Sequence, residues 1–367
     1  MGEWNVYKLK DVCSRLSSGK NITAANVHDE GPYPVYGGNG LRGYADVSNF
    51  SGECALIGRQ GAYCGNVHYF SGTGYMTEHA IVACGNHLSD TRFLSYYLSL
   101  QDLGRLSSQS AQPGLSVKAL GEEEFDLPDL PTQRRIAAVL GALDDKIEVN
   151  RKICENLEAQ AQALFKAWFV DFEPFGGKRP EGWKEVSLLD VVELFDMKRI
   201  PLSSREREKR KGQFPYYGAT SIMDYVDDYL FDGVYLLMGE DGSVAREDGI
   251  PYLQYISGQF WVNNHAHIVQ GRNGYSTEML WCALSQTDIS TFVTGAVQPK
   301  LSQTNMQMIK VPILAMSEMC RFGKSVQPMF DLLRTKRAES RALAAMRDAL
   351  LTKLMSGELA VEKVEVK

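Results

Sequence analysis

Two stretches of the chain carry an apolar pattern whose steps alternate between four and three residues without a break. The first runs Ile136, Leu140, Leu143, Ile147, Asn150, Cys154, Leu157, Ala161, Leu164, Trp168. The second runs Phe322, Val326, Met329, Leu333, Lys336, Ser340, Leu343, Arg347, Leu350, Leu354. Such a 3.5-residue period keeps one seam of a helix facing a partner helix, so both stretches are expected to be long and paired. The first is expected to follow Pro131 and to stop at Pro174, Gly176-Gly177 and Pro180. Pro328 falls inside the second and either kinks it or marks its start. Asn150 is the polar position that fixes register. Lys336, Ser340 and Arg347 make the second seam more polar than a free coiled coil favours, so either a partner or Asn150 answers them.

The remaining segments show a different rhythm. They are rich in Gly, Tyr, Asn, Ser and β-formers, and read as short strands between frequent turns, as in 53–58 and 233–239. A helix is expected at 90–100, with a counterpart at 276–284. These segments repeat. Trp4 and Leu9-Lys10-Asp11-Val12 match Trp183 and Leu188-Leu189-Asp190-Val191 at an offset of 179; Ile57-Gly58 and Gly61 match Met238-Gly239 and Gly242 at 181. His79-Ala80 match His265-Ala266 at 186, and so do Gln112-Pro113 and Leu115-Ser116 with Gln298-Pro299 and Leu301-Ser302. Several matches in one order mean a tandem duplication, with a period too long for a solenoid. The expected fold is α+β: two similar mixed α/β modules separated by two long helices that pair antiparallel, with pseudo-twofold symmetry. The divisions are 1–131 (first module), 132–173 (first helix), 174–182 (linker), 183–314 (second module), 315–358 (second helix) and 359–367 (tail). A rod of about 37 helical residues is about 55 Å long. With a similar module at each end, it would read two half-sites a fixed distance apart.

Composition narrows the picture. The chain has 367 residues, enough for two domains or more. It has no run apolar enough to span a membrane, and its first residues do not read as a signal peptide. Seven cysteines without a CxxC pair fit reduced thiols in a cytosolic protein and give no zinc pattern. The net charge is −6, with −5 in residues 1–131, −4 in 183–314 and +3 in 315–367. Nucleic-acid binding would therefore have to come from local patches or from a partner that supplies the phosphate contacts, giving weak, salt-sensitive binding to the isolated chain.

Motifs for chemistry are missing. There is no Asn-Pro-Pro-Tyr or Asp-Pro-Pro-Tyr methyltransferase motif and no phosphate loop. Asp129 with Asp144-Asp145-Lys146 mimics a nuclease pattern, but the second group sits on the heptad helix and reads as solvent-facing charge. His79 and His265 repeat without a repeating catalytic companion, because Glu78 becomes Asn264. A structural histidine hydrogen-bonded beneath a loop is the leading reading, ahead of DNA contact and of catalysis. No catalytic residue and no metal ligand is expected.

The second helix ends Leu343-Ala344-Ala345-Met346-Arg347-Asp348-Ala349-Leu350-Leu351-Thr352-Lys353-Leu354-Met355-Ser356-Gly357-Glu358-Leu359. This resembles the C-terminal conserved region of Type I restriction specificity subunits. The end of the first helix, Leu164-Phe165-Lys166-Ala167-Trp168-Phe169-Val170-Asp171-Phe172, is similar to that family's central conserved region. The module motifs around Tyr36-Gly37, Gly58 to Gly61, His79-Ala80 and 112–116 resemble its target recognition domains. The resemblance covers essentially the whole chain. It implies a DNA-binding subunit that reads a bipartite, asymmetric double-stranded target and docks two methyltransferase subunits and restriction subunits. S-adenosylmethionine, ATP and magnesium would belong to those partners. A recognition subunit of a two-subunit restriction-methylation enzyme is the alternative.

Residues that read base edges must be polar and exposed, and should differ between copies if the half-sites differ. The turn Tyr36, Gly38, Asn39 becomes Tyr217, Ala219, Thr220, with Ser221 following; Arg42 lies just beyond it in the first copy. Arg59-Gln60 becomes Glu240-Asp241 between retained glycines, with Tyr63 close by. Arginine suits guanine, glutamine suits adenine, and a carboxylate accepts from cytosine. Ordinary divergence at turn tips accounts for the same pattern. His79, His265, Gln112, Gln298, Ser116 and Ser302 complete the candidates, the last four leaning to scaffold or phosphate; Lys300 replaces Gly114 and suits a phosphate. The densest basic stretch offers Lys198, Arg199, Arg205, Arg210 and Lys211 for phosphates, against the plainer reading of a solvated loop.

Overall fold

The computed structural model describes residues 4–107, 114–295 and 297–364. The chain divides into two compact units, Met1–Val149 with Ser340–Lys367, and Asn150–Glu339. The division falls inside both long helices rather than at their ends. In the first unit the elements are β1 (Asn5–Lys8), α1 (Leu9–Val12), β2 (Cys13–Ser18), β3 (Tyr33–Gly37), β4 (Gly40–Ala45), β5 (Phe50–Gly58), β6 (Val67–Met76), β7 (Ala80–Gly85), α2 (Thr91–Ser99), α3 (Val117–Glu122) and β8 (Glu124–Leu127). The helix α4 (Leu130–Phe169) starts here and continues into the second unit. The second unit holds β9 (Lys184–Ser187), α5 (Leu188–Val191), β10 (Val192–Leu194), α6 (Ser204–Lys209), β11 (Lys211–Tyr217), β12 (Ile222–Val226), β13 (Phe231–Gly239), β14 (Leu253–Val262), β15 (Ala266–Gly271), α7 (Thr277–Leu284), α8 (Gln303–Met306) and β16 (Lys310–Ile313). The helix α9 (Met316–Met355) runs back into the first unit.

Each unit contains a six-stranded sheet, in the order β2-β7-β5-β6-β3-β4 and β10-β15-β13-β14-β11-β12, and a two-stranded one, β1-β8 and β16-β9. Strand for strand the orders are the same. Both large sheets are antiparallel except where β3 meets β6 and β11 meets β14. One sheet face packs on helices. The other closes a small core, built on Phe50, Leu56, Phe70 and Val82 in the first unit and on Phe231, Leu237, Phe260 and Ile268 in the second. The duplicated sequence therefore folds as two copies of one mixed α/β module.

The long helices pair within each unit. In the second, Phe165 meets Phe322, the Cys154 thiol faces the Leu333 carbonyl at 3.9 Å, Glu158 pairs with Arg337 at 2.6 Å, and Asn150 Nδ2 donates to Glu339 at 3.1 Å. In the first, Asp144 pairs with Arg347 at 2.7 Å, and Ile136 and Leu140 share a core with Leu350 and Leu354. Partners descend along α9 as they ascend along α4, so the pairing is antiparallel. Every seam position of both helices is buried or half-buried. The polar seam residues are met by acids beside the seam and not by Asn150: Glu339 accepts from both Lys336 and Asn150, and Asp144 from Arg347.

Three expectations change, and the choice left open for Pro328 is decided. Pro131 does not precede α4 but sits in its first turn, where its missing N–H costs nothing, and Asp129 caps the helix by accepting from Thr132 N at 3.0 Å. Asp144 is not a solvent charge; besides Arg347 it accepts from the Tyr96 hydroxyl, while Asp145 pairs with Arg92 at 2.6 Å. The Arg92 guanidinium lies where a side chain on Gly141 would stand, which is why glycine is tolerated in mid-helix. Pro328 lies within α9, not at its start, because the seam around it is buried on both sides. Residues 359–364 are not a free tail: Val361 is buried in the first unit's core with Leu354 and Met355.

Asn150 is fully buried and its Oδ1 has no hydrogen-bond partner. Asn150→Leu is therefore expected to raise stability by about 1 kcal/mol in urea unfolding, because an orphaned acceptor is removed.

Candidate nucleic-acid interface

In the first unit four loops converge at one end of the sheet. The turn after β3 carries Gly38 and Asn39, and a side chain on Gly38 would collide with the His79 carbonyl (2.8 Å) and the Gly58 Cα (3.3 Å). Glycine there lets the turn lie flat on the other two loops. Arg59 N donates to the His79 carbonyl at 2.9 Å, Leu115 N to the Arg59 carbonyl at 2.8 Å, and Thr77 N to the Tyr36 carbonyl at 2.9 Å.

The second unit repeats these bonds. Glu240 N donates to the His265 carbonyl at 2.8 Å, Leu301 N to the Glu240 carbonyl at 2.9 Å, and Asn263 N to the Tyr217 carbonyl at 3.0 Å. The retained feature is thus a main-chain frame. Asn39, Arg42, Gln60 and Tyr63 project from the first, and Thr220, Ser221 and Met223 from the second. Gln298 is exposed; Gln112 lies outside the described residues.

Several candidates are committed elsewhere. The Tyr36 ring packs edge-on against Phe70 (5.1 Å between centroids), and Tyr217 against Phe260 (5.8 Å), so both anchor the turn to the core. Ser116 and Ser302 cap α3 and α8, accepting from Ala119 N at 2.9 Å and Asn305 N at 3.1 Å. His79 is not beneath its loop: its ring is 43% exposed and lies 3.0 Å from Gln60 Oε1 and 3.3 Å from Glu78. What His79 and His265 share is the use of their carbonyls.

The buried histidine is His267, which sequence reasoning passed over. Aligning the copies sets it against Ile81, a polar residue in an apolar strand position, and that is the signal that would have found it. Its Nδ1 lies 2.6 Å from Asp196 and its Nε2 2.7 Å from the Leu301 carbonyl. With an acceptor at each nitrogen, the ring is held as imidazolium. Burial pushes it down, but Asp196, the Leu301 carbonyl and Glu240 outweigh this and leave its pKa raised. Burial pushes Asp196 up, yet His267, the Ile268 N–H and the Gln303 amide hold its carboxyl below the usual range.

Arg199 and Glu240 belong to the same cluster. Arg199 reaches Glu240 at 2.5 Å, the Ala266 carbonyl at 2.8 Å and Asp196 at 3.6 Å. Neither is a free reader: each side chain is 14% exposed. Asp196, Glu240 and His267 offer ligand atoms within 4.8 Å of one another, the spacing of a cation site. The Arg199 guanidinium is the cation that occupies their charge. Asp241 faces Lys300 at 3.4 Å, so Lys300 answers an acid rather than standing ready for a phosphate.

The basic stretch is not a loop. Ser203 and Glu206 form a capping box that starts α6. Arg210 pairs with Asp227 at 2.8 Å and lies over the Trp261 ring, and Lys211 pairs with Asp224 at 2.8 Å. Among the described residues Arg205 has no ion-pair partner, and Lys198 sits over the Phe195 ring at 5.0 Å. These two remain exposed cations.

A Type I restriction modification DNA specificity domain matches residues 1–159 and again 180–325. The chain belongs to this family. The two matches coincide with the two copies of the module. Among curated members, it is 39% identical over 134 residues to the Type I restriction enzyme EcoprrI specificity subunit of Escherichia coli, covering 35% of this chain and 33% of that protein. It is 23% identical over 99% of its length to the Type I restriction enzyme MjaIX specificity subunit of Methanocaldococcus jannaschii, 95% of which is covered. The chain thus spans about a third of the first relative and nearly all of the second. The crystal structure of the S subunit of a Type I restriction-modification system from M. genitalium shares the fold, with a TM-score of 0.60 at 20% identity over 96% of each chain. No helix among the described residues is long and apolar enough to cross a membrane.

Proposed function

We propose that this family member is the DNA-recognising subunit of a Type I restriction-modification complex, and that its two loop clusters each read one half of a bipartite, asymmetric target in double-stranded DNA. One observation carries this reading. The same three main-chain hydrogen bonds build both clusters, while the side chains that project from them differ. A retained frame with exchanged tips is what two readers of unequal half-sites require. Phosphate contacts fall to Lys198 and Arg205 in this reading, and base edges to Asn39, Arg42 and Gln60 in the first cluster, with the half-buried Arg59, which reaches the Glu78 carbonyl at 3.4 Å, beside them. In this reading the chain leaves the chemistry to its partners, in keeping with Asp129, Asp144 and Asp196 being engaged in a helix cap and ion pairs. S-adenosylmethionine, ATP and magnesium are supplied by two methyltransferase subunits and the restriction subunits that it orients.

The test is to copurify the chain with its methyltransferase, map the modified bases across the host genome, and repeat this after exchanging residues 183–314 for another member's module. Only one half of the mapped target is expected to change. A change in both halves, or no modification at all, overturns the proposal. Gln60→Ala is expected to weaken binding by about 1–3 kcal/mol for the other half-site alone, read by titration against base-substituted duplexes.

A further inference from the structure

The two tips differ in kind as well as in sequence. After the turn, the first unit presents Leu41 (51% exposed) and Arg42, while the second presents Ile222 (40%) and Met223 (53%). The positions correspond in space, not only in number. The Arg42 Cδ lies 2.7 Å from where a side chain on Gly37 would begin, and the Met223 Sδ lies 2.7 Å from the same point on Gly218. Asn263 from the neighbouring loop holds Met223 in place, with Nδ2 3.2 Å from the sulfur. Met197 is 97% exposed and lies two residues from Arg199, which touches the Asn264 carbonyl; Val297 is wholly exposed beside Pro299, whose carbonyl accepts from Gly242 N. The polar groups that the sequence offered here, Arg199 and Glu240, are locked into the ion cluster. Beside the exposed polar Thr220, Ser221 and Gln298, the apolar Ile222 and Met223 are left to touch a ligand at this end of the second unit.

Met223 and Ile222, exposed at the start of β12 beside the cluster's main-chain frame, offer a ligand an apolar surface. In the major groove of duplex DNA only one base offers an apolar group, the C5-methyl of thymine. Methionine is unbranched and polarizable and adapts to a flat methyl-bearing edge. Resting on the DNA-reading role proposed above, we infer that the second module recognises thymine methyls, through Met223 and Ile222, where the first module reads polar base edges with Arg42 and Gln60. The half-site read by residues 183–314 accordingly contains at least one thymine read through its methyl group.

The experiment uses the chain bound to its methyltransferase and duplexes carrying the mapped target. Thymines in the half-site assigned to residues 183–314 are replaced by uracil, which removes the methyl and leaves the pairing edge. Affinity is expected to fall about fourfold for each methyl contacted, the worth of one buried methyl. Met223→Arg should erase the dependence at that base and shift preference there towards guanine. Arg42 already fills the equivalent place over Gly37, so the variant should melt at an unchanged temperature. Intact sequence-specific binding that ignores the uracil substitution, or a Met223→Arg protein that binds the thymine duplex as before, overturns the inference and leaves the recognition role standing. Loss of all sequence specificity in the unaltered protein removes the recognition role, and the inference with it.

Discussion

Asp196→Ala is expected to destabilise the second unit by about 3–5 kcal/mol, the cost of breaking a buried ion pair from one side. Asp196 is 4% exposed at its side chain and accepts from His267, the Ile268 N–H and the Gln303 amide. Removing it leaves an imidazolium and the Arg199 guanidinium facing Glu240 alone. The same cluster gives the unit a pH-dependent stability with two limbs. His267 has a raised folded-state pKa, so its contribution is complete below its unfolded value and is lost as pH climbs through the raised one. Asp196 has a lowered pKa, so its contribution is complete above its unfolded value and is lost as pH falls through the lowered one. Both are fully in place between about pH 4 and 6.5. His267→Ile, which copies the Ile81 of the first module, should abolish the alkaline limb and weaken the acid one, because His267 leads the groups that hold Asp196 low. Urea unfolding followed by tryptophan fluorescence reads this unit well, because Trp168, Trp183, Trp261 and Trp281 belong to it and only Trp4 lies in the other. A flat pH profile in the unaltered protein, or an Asp196→Ala cost under about 1 kcal/mol, rules the cluster out as a stabilising element.

Phe322→Ala is expected to cost about 3–5 kcal/mol, through lost burial and the cavity left behind. Phe322 is fully buried, and its ring meets Phe165, Trp168 and Phe169 of α4 at centroid distances of 5.8, 5.6 and 5.0 Å. Arg321 covers the outer face of Trp168 at 4.9 Å. This is where the segment resembling the family's central conserved region is gripped by α9, so the loss should loosen the helix pairing of the second unit. Circular dichroism at the helix band, with urea as denaturant, should show an earlier transition. Ile136 is the seam residue of the first unit at the equivalent position, also buried, packed with Leu354 and Met355. Its replacement by alanine should cost less, because a smaller side chain leaves a smaller cavity. Equal, small effects at the two positions would contradict this account of the pairing.

Each module is also tied to the helix pair by a tyrosine-carboxylate-arginine contact that no local signal announces. In the first unit Tyr96 and Arg347 share Asp144; in the second Tyr255 and Arg334 share Glu278. Burial, reinforced by the neighbouring carboxylate, raises the pKa of both tyrosines, so the phenols stay protonated and donate. The two contacts use different sequence positions for the same purpose. That is why comparing the copies residue by residue did not reveal them, and why Arg347 read as a misplaced charge in the seam.

The duplication, the α+β modules and the two heptad helices were legible in the sequence alone. Each of these is written in consecutive residues: a helical seam needs only its own 3.5-residue period, and a strand only its own alternation and turns. The tertiary structure alone decided which polar residues are available. Arg199, Glu240 and His267 lie far apart in the chain, and whether a charge faces solvent or a buried counter-charge depends on loops brought together by long-range strand pairing. The tips that remain exposed are what that competition left over, and a local pattern carries no record of it.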